Sequence, residues 1–306
     1  MVSEPLIPGL PDEVAELCLL YLPYPHQALA RSVSSSWNRA ITDPAFLVSK
    51  RSLSLSLPYM FVLAFHKSTA RIQWQALDPR SSRWFVLPPM PCPKTVCPPA
   101  FACASLPRQG RLLVLGGMRS DTETSMDSTF IYRSSTNQWS TGPPMLTPRS
   151  FFATGNVRGK IVAVGGSGSG TGDAITAVEC YSPESGRWGP AAKMRTGSGP
   201  GLSVVLDGRL FVISEHGDCP MKVYAPDLDT WEYVGGDRFP REAMQRPFAV
   251  NGVEGRVYVV SCGLNVAIGS VYEEADDGGF CVKWQVLVAP KAFQDFAPSN
   301  CQVLYA

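Results

Sequence analysis

Residues 110–117 read GRLLVLGG, and residues 159–166 read GKIVAVGG. Each stretch is a glycine, a basic residue and a short apolar run that ends in two glycines. GRLFVISE from Gly208 and GRVYVVSC from Gly255 repeat the first part, so the four leading glycines lie 49, 49 and 47 residues apart. Another apolar run precedes each leading glycine. Two apolar runs around a glycine predict a β-hairpin, because glycine accepts the positive φ of a tight turn.

Aromatic residues extend each copy beyond its hairpin. A tryptophan follows the leading glycine by 29 residues in three copies and by 23 in one, and these are Trp139, Trp188, Trp284 and Trp231. A tyrosine stands seven residues before it in three copies, namely Tyr132, Tyr181 and Tyr224. The stretch LDPRSSRWFVLPPM at 77–90 is a fifth copy, since Met90 follows Trp84 as Met145 follows Trp139. A four-stranded antiparallel unit repeated about every 50 residues predicts a five-bladed β-propeller.

The two ends of the repeat region complement each other. The first copy, 58–65, has no strand before it, and the last copy is followed by one extra strand, SNCQVLYA at 299–306. We expect the C-terminal strand to pair into blade one, which closes the ring and removes an exposed sheet edge. This count gives five blades, with six as the alternative.

Residues 1–50 have no strand pattern. They contain three short helical patterns, with Pro11, Pro25 and Pro44 at their starts and Asp43 as a favourable N-cap. Helices of about 12 residues bury little apolar surface by themselves, so the segment needs a partner surface. That surface is either another protein or the propeller, against which the helices would pack as a structural plug.

The repeat region resembles kelch repeats. The resemblance rests on the glycine pairs at 116–117 and 165–166, the later tyrosine and tryptophan, and the Pro-Met that follows them. It covers roughly residues 58–306, although three copies lack the glycine pair. The implied fold is mainly β: a kelch-type propeller of five four-stranded blades over 51–306, closed by the C-terminal strand.

The N-terminal segment resembles an F-box. The family's opening Leu-Pro-Asp-Glu stands at 10–13, its Leu-Pro at 22–23 and its tryptophan at Trp37, with Ser36 where a basic residue is usual. An α-helical F-box over 1–50 followed by a kelch propeller is similar to a large plant family of ubiquitin-ligase substrate receptors. The resemblance implies that residues 1–50 bind a Skp-family adaptor of a cullin complex. The propeller would then select the protein to be ubiquitinated. The cysteines, which lack paired spacing, separately favour a location in the cytoplasm or nucleus.

Two sets of site residues follow from this reading. The adaptor interface, or the residues that order it, comprises Leu10, Pro11, Val14, Leu17, Leu22, Val33 and Trp37. The substrate surface is expected in the loops after each blade's second strand and in the connections between blades: His66, Lys67, Arg119, Arg149, Ser167, Arg195, His216, Arg246 and Asn265. Arginine forks favour carboxylates, so an acidic or polar protein segment is the expected substrate feature.

Composition excludes several other classes of function. With 27 basic and 26 acidic residues the formal charge is +1, and no electrostatic signal indicates a nucleic acid or a membrane partner. Nine cysteines without paired spacing indicate a reduced protein, and no cofactor or metal site is expected. A kelch-type enzyme, such as a copper oxidase, is the alternative, but only His66 and His216 are candidate ligands at the ring's mouth. A passive protein-binding scaffold is the other alternative.

Overall fold

Four helices, rather than the three expected, form the N-terminal unit. The computed structural model describes residues 5–157, 159–168, 175, 177–191, 202–206, 209–213, 221–225, 230–274 and 279–306. The helices are α1 (Asp12–Leu20), α2 (Tyr24–Ala30), α3 (Ser35–Thr42) and α4 (Pro44–Ser52). α3 and α4 are separate because Asp43 leaves the helical conformation and caps the next helix. Its carboxylate accepts a hydrogen bond from Ala45 N at 2.8 Å.

The strands follow in chain order. The first seven are β1 (Pro58–His66), β2 (Ile72–Asp78), β3 (Arg83–Val86), β4 (Phe101–Leu106), β5 (Arg111–Gly116), β6 (Thr129–Arg133) and β7 (Gln138–Thr141). The next nine are β8 (Ala153–Val157), β9 (Lys160–Val164), β10 (Val178–Ser182), β11 (Arg187–Ala191), β12 (Leu202–Leu206), β13 (Arg209–Ile213), β14 (Met221–Ala225), β15 (Thr230–Tyr233) and β16 (Gly235–Gly236). The last five are β17 (Gln245–Val253), β18 (Arg256–Cys262), β19 (Val266–Glu273), β20 (Phe280–Leu287) and β21 (Phe296–Tyr305).

The described strands form five sheets, which are the blades of the propeller. Blade one has the order β21-β1-β2-β3, and blades two to four each contain four consecutive strands. β21 pairs antiparallel with β1 along its length, with Met60 opposite Val303 and Val62 opposite Cys301. The predicted pairing of the C-terminal strand into blade one is therefore confirmed.

Blade five departs from the four-stranded prediction. β16 adds a fifth, parallel strand to its outer edge, opposite Cys281 and Val282 of β20. Glycine is required there because a Cβ on Gly236, which has φ +90°, would overlap the backbone of Val282. The short strand covers part of an edge that would otherwise present unpaired backbone groups.

Aromatic side chains join neighbouring blades, as the repeat pattern predicted. Trp139 of blade two packs on Tyr132 with ring centroids 5.2 Å apart, and its Nε1 donates to Pro88 O at 3.0 Å, beyond the last strand of blade one. Trp188 of blade three packs on Tyr181 and donates to Thr129 Oγ1 of blade two at 3.2 Å. The tryptophans thus fill the wedges between blades and satisfy their N–H groups across them.

Lys50 is a buried cation within the helical unit. It is 1% exposed, and its Nζ donates to Leu22 O at 3.2 Å. Burial, and secondarily the charge of Arg80, lowers the pKa of Lys50 from 10.5 to about 8. The folded protein therefore releases this proton more readily than the unfolded chain, so the charged form costs stability below pH 8 and that cost is relieved between about pH 8 and 10.5.

We accordingly expect Lys50→Met to stabilise the protein by about 2 kcal/mol at pH 7, with the gain shrinking as the pH rises towards 10. Urea unfolding of both proteins at pH 7, 8.5 and 10 measures this difference. Because the other titrating groups are common to the two proteins, their contributions cancel. A gain that does not depend on pH would contradict the assignment.

No helix within the described residues is both long enough and apolar enough to cross a membrane.

Candidate functional site

The ring has two ends that differ in what they present. The distal end is defined as the end of the ring at which the second strands of the blades, β1, β5, β9 and β18, finish. The proximal end carries the turns at 107–110 and 134–137 and the C-terminal Ala306. The helical unit contacts the proximal end, so the two predicted binding surfaces lie on opposite ends of the propeller.

The helical unit exposes large apolar side chains. Their exposed fractions are 38% for Leu10, 44% for Val14, 43% for Leu17 and 64% for Val33. Pro11, the remaining exposed member of the predicted set, precedes α1 directly. Burying such residues against a partner is favourable at about 25 cal/mol per Å² of apolar surface. These five predicted adaptor contacts are therefore available to a partner protein.

The other two predicted adaptor residues have a different place. Leu22 and Trp37 are half-buried and pack on the core of the helical unit, which contains Leu19, Leu20, Ala30, Ile41 and Phe46. Trp37 Nε1 donates to Leu6 O at 2.7 Å, which ties the segment before α1 to α3. Leu22 and Trp37 order the apolar surface from within.

Sequence reasoning did not include further exposed apolar residues of the same unit in the predicted interface. Tyr21 is 69%, Leu29 68% and Val48 56% exposed. Tyr21 lies one helical turn after Leu17, so the spacing of four between them was the available signal.

A buried tyrosine fixes the helical unit to the propeller. Tyr24 of α2 packs on Tyr59 and Phe61 of β1, with ring centroids 5.2 and 5.7 Å away. Its hydroxyl donates to that of Tyr132, which in turn donates to Asn137 Oδ1 at 2.6 Å. Burial raises the pKa of both Tyr24 and Tyr132, so both phenols remain protonated donors at neutral pH.

Backbone contacts complete this joint. Arg31 Nη1 donates to Ser135 O at 3.0 Å, and Arg51 donates to Arg108 O. Leu57, which follows α4, and Ala306 exchange backbone hydrogen bonds of 3.2 and 3.1 Å. The helical unit is thus held in one orientation beneath blades one and two.

At the distal end, the predicted substrate residues differ in the groups that they contact. His66 is half-buried against Phe296, and the exposed Lys67 donates to Gln294 O at 2.9 Å. Arg119 forms an exposed ion pair with Asp121 at 2.7 Å, and this hydrogen bond lowers the pKa of the Asp121 carboxyl.

Three further predicted residues lie in the loops of this end. Ser167 pairs with Ser150 through two backbone hydrogen bonds, and Arg246 is exposed at the start of β17. The Asn265 amide donates to Ala243 O and accepts from Ala289 N, both at 2.9 Å, so it joins two loops. Arg195 and His216 lie outside the described residues.

The prediction that Arg149 contacts substrate is wrong. Its side chain is fully buried, and its Nη2 and Nε donate to Glu179 Oε1 at 2.7 and 3.2 Å. Its Nη1 donates to Gly165 O and Ala177 O at 3.0 and 2.9 Å. All three guanidinium nitrogens therefore form hydrogen bonds that attach the connection after blade two to blade three.

The centre of the ring is a polar channel of about 850 Å³, lined by the inner strands β4, β8, β12, β17 and β21. Side-chain amides bridge these strands: Gln302 Nε2 donates to Cys103 O at 3.1 Å, Asn251 Nδ2 to Cys301 O at 3.0 Å, and Asn156 Nδ2 to Ser105 O at 3.1 Å. They satisfy carbonyl groups that have no neighbouring strand on the channel side.

Comparison with known proteins agrees with this architecture. The family model for the F-box domain matches residues 7–49, and the Kelch motif model matches residues 101–146 and 148–195. The Kelch matches cover blades two and three, the two copies that keep the glycine pair.

Relatives match along the whole chain. F-box protein AFR of Arabidopsis thaliana is 49% identical over 99% of this chain and 93% of its own length. An F-box/kelch-repeat protein of the same plant is 34% identical over 99% of this chain and 88% of its own length. A helical F-box unit fixed to a kelch propeller, with whole-length similarity of this extent, shows that the chain belongs to the F-box/kelch-repeat proteins.

Proposed function

We propose that this protein is the substrate-recognition subunit of a cullin-type E3 ubiquitin ligase and has no catalytic activity of its own. The F-box binds a Skp-family adaptor, and through it a cullin scaffold, while the distal end of the propeller binds the protein to be ubiquitinated. The observation that carries the proposal is the exposed apolar surface around Leu10, Val14 and Leu17, on a unit fixed to the ring end opposite the recognition loops.

The fixed joint gives this arrangement a mechanical consequence. A receptor of this kind must hold its substrate at a set position relative to the ubiquitin-carrying enzyme, because orientation contributes strongly to the rate of a transfer reaction. Tyr24 and its contacts to blades one and two supply that rigidity. The polar loops of the distal end can then vary with the substrate without disturbing the adaptor surface.

The adaptor interface is tested with Val14→Lys and Leu17→Lys combined in one chain. Both side chains are exposed, so the double variant should keep its melting temperature, while co-purification with a co-expressed Skp-family adaptor should fall at least about 100-fold because two apolar contacts become buried charges. Val288→Lys, at a 77% exposed valine of the propeller, is the matched control and should bind the adaptor normally. Unchanged adaptor capture by the double variant would refute the proposed interface.

A further inference from the structure

A pocket opens at the distal end of blade one, away from the central channel. Its volume is about 620 Å³, within the range of known ligand pockets. Apolar groups form most of its wall: Ile72, Trp74, Val86, Leu87, Pro89, Met90 and Phe296. Its polar members are His66, Thr69, Arg71 and Gln73. We call it the blade-one pocket.

One wall of this pocket lacks a polar partner. Trp74 is 2% exposed, and among the described residues its Nε1 has no hydrogen-bond partner. The tryptophans of blades two and three, by contrast, satisfy theirs on Pro88 and Thr129. Buried indole N–H groups normally find an acceptor, but this N–H is itself shielded from solvent, so Trp74 contributes to the pocket as part of its apolar wall.

The charge around the pocket is positive. Arg71 is exposed and forms no ion pair with any residue that the structure describes. Lys67 follows His66 in sequence, and within the part of the chain that the structure describes its Nζ donates only to a carbonyl oxygen, Gln294 O. Lys67 N also donates to the backbone carbonyl of Asp295, at 2.8 Å. No acidic residue is among the described residues that line the pocket, so Arg71 is placed to pair with a carboxylate brought by an occupant.

From this geometry we infer that the blade-one pocket anchors the protein substrate: it takes a bulky apolar side chain, with the aspartate or glutamate that follows it pairing with Arg71. The inference rests on the proposed function and specifies where the substrate is read. Interfaces concentrate their binding energy in a few large side chains that fill pockets, which fits an apolar wall of this size. The substrate is therefore bound at blade one, to one side of the opening of the central channel.

The test uses short peptides on the full chain. N-acetyl-Phe-Glu-amide is the probe, and N-acetyl-Ala-Glu-amide and N-acetyl-Phe-Lys-amide remove its apolar anchor and its carboxylate in turn. We expect the probe to bind with a dissociation constant of about 1 mM or tighter, followed by calorimetry and tryptophan fluorescence. Both comparison peptides should bind at least tenfold more weakly.

Two variants locate the binding. Arg71→Glu, at an exposed side chain, should weaken the probe at least tenfold and reverse the preference towards the lysine peptide. Arg83→Glu changes another exposed arginine, at the opposite end of the same blade, and should bind the probe as the parent does. Absence of saturable binding, indifference to charge, or an unaltered Arg71→Glu variant would each overturn the inference.

A further comparison distinguishes a binding site for a protein substrate from a binding site for a small molecule. If 4-phenylbutyrate, which has an apolar group and a carboxylate but no peptide bond, binds as tightly as the dipeptide, the pocket serves a small ligand and the inference fails. Adaptor co-purification is measured on the same Arg71→Glu protein. If only the pocket inference is wrong, the parent chain still binds the adaptor. If the proposed function is wrong, the parent chain itself does not bind the adaptor.

Discussion

Replacing Glu179 by leucine is expected to lower the free energy of unfolding by about 3–5 kcal/mol, because it leaves the buried charge of Arg149 without its partner. The ion pair is almost completely buried, with side-chain exposures of 0% and 2%. Glu179 Oε2 also accepts from Leu146 N at 2.7 Å, so the backbone of the inter-blade connection loses its acceptor as well. Urea unfolding followed by tryptophan fluorescence measures the loss.

The surface pair of Arg119 and Asp121 is the matched control. Both of its side chains are about two-fifths exposed, so Asp121→Leu should leave the free energy of unfolding nearly unchanged. Combining Glu179→Leu with Arg149→Met should recover much of the lost stability, because the unpaired charge is then absent. A cost of about 1 kcal/mol or less for Glu179→Leu alone would show that the Arg149–Glu179 pair stabilises the protein no more than a surface ion pair does.

Deleting residues 302–306 is expected to abolish cooperative folding of the propeller rather than merely lower its melting temperature. The deletion removes the pairing of β21 with the first half of β1, including Tyr59 opposite Leu304 and Phe61 opposite Gln302. It also exposes the buried core residues around Leu304 and takes away the Gln302 bridge to blade two. The unpaired edge of β1 should cause aggregation on size-exclusion chromatography.

Rescue in trans provides the control for this deletion. A synthetic peptide of residues 296–306 should restore a sharp thermal transition, since it can re-enter as the missing strand. The same peptide with Val303 and Leu304 replaced by serine should not, because those side chains are buried in the parent. A truncated chain that melts like the parent without any peptide would contradict closure through β21.

The residues of the candidate sites were only partly predictable. Leu10, Val14 and Leu17 follow a helical spacing, and their exposure agrees with a binding role. Leu22 and Trp37 belong to the same motif, yet they pack inward, because the motif does not specify which side the other helices cover. Arg149 was indistinguishable by sequence from an exposed loop arginine, and its partner Glu179 lies 30 residues further along the chain.

The sequence by itself determined the elements that depend on local spacing. The leading glycines, the tyrosines and the tryptophans define hairpins and wedge positions within about 50 residues. The missing first strand and the extra last strand define the closure. Both patterns can be recognised without knowing which segments become neighbours in space. Hairpin turns and strand alternation are set by the backbone and by side chains close in sequence.

Only the tertiary structure decided which polar groups are buried and where a pocket remains. The joint at Tyr24 needs two strands that are distant from it in sequence, and the blade-one pocket needs residues from β1, β2, the segment after β3 and β21. Burial is a property of the space between elements, and that space exists only once the ring has closed. Three arginines therefore have three different roles. Arg149 forms a buried ion pair, Arg119 forms an exposed ion pair, and Arg71 lines the rim of a pocket.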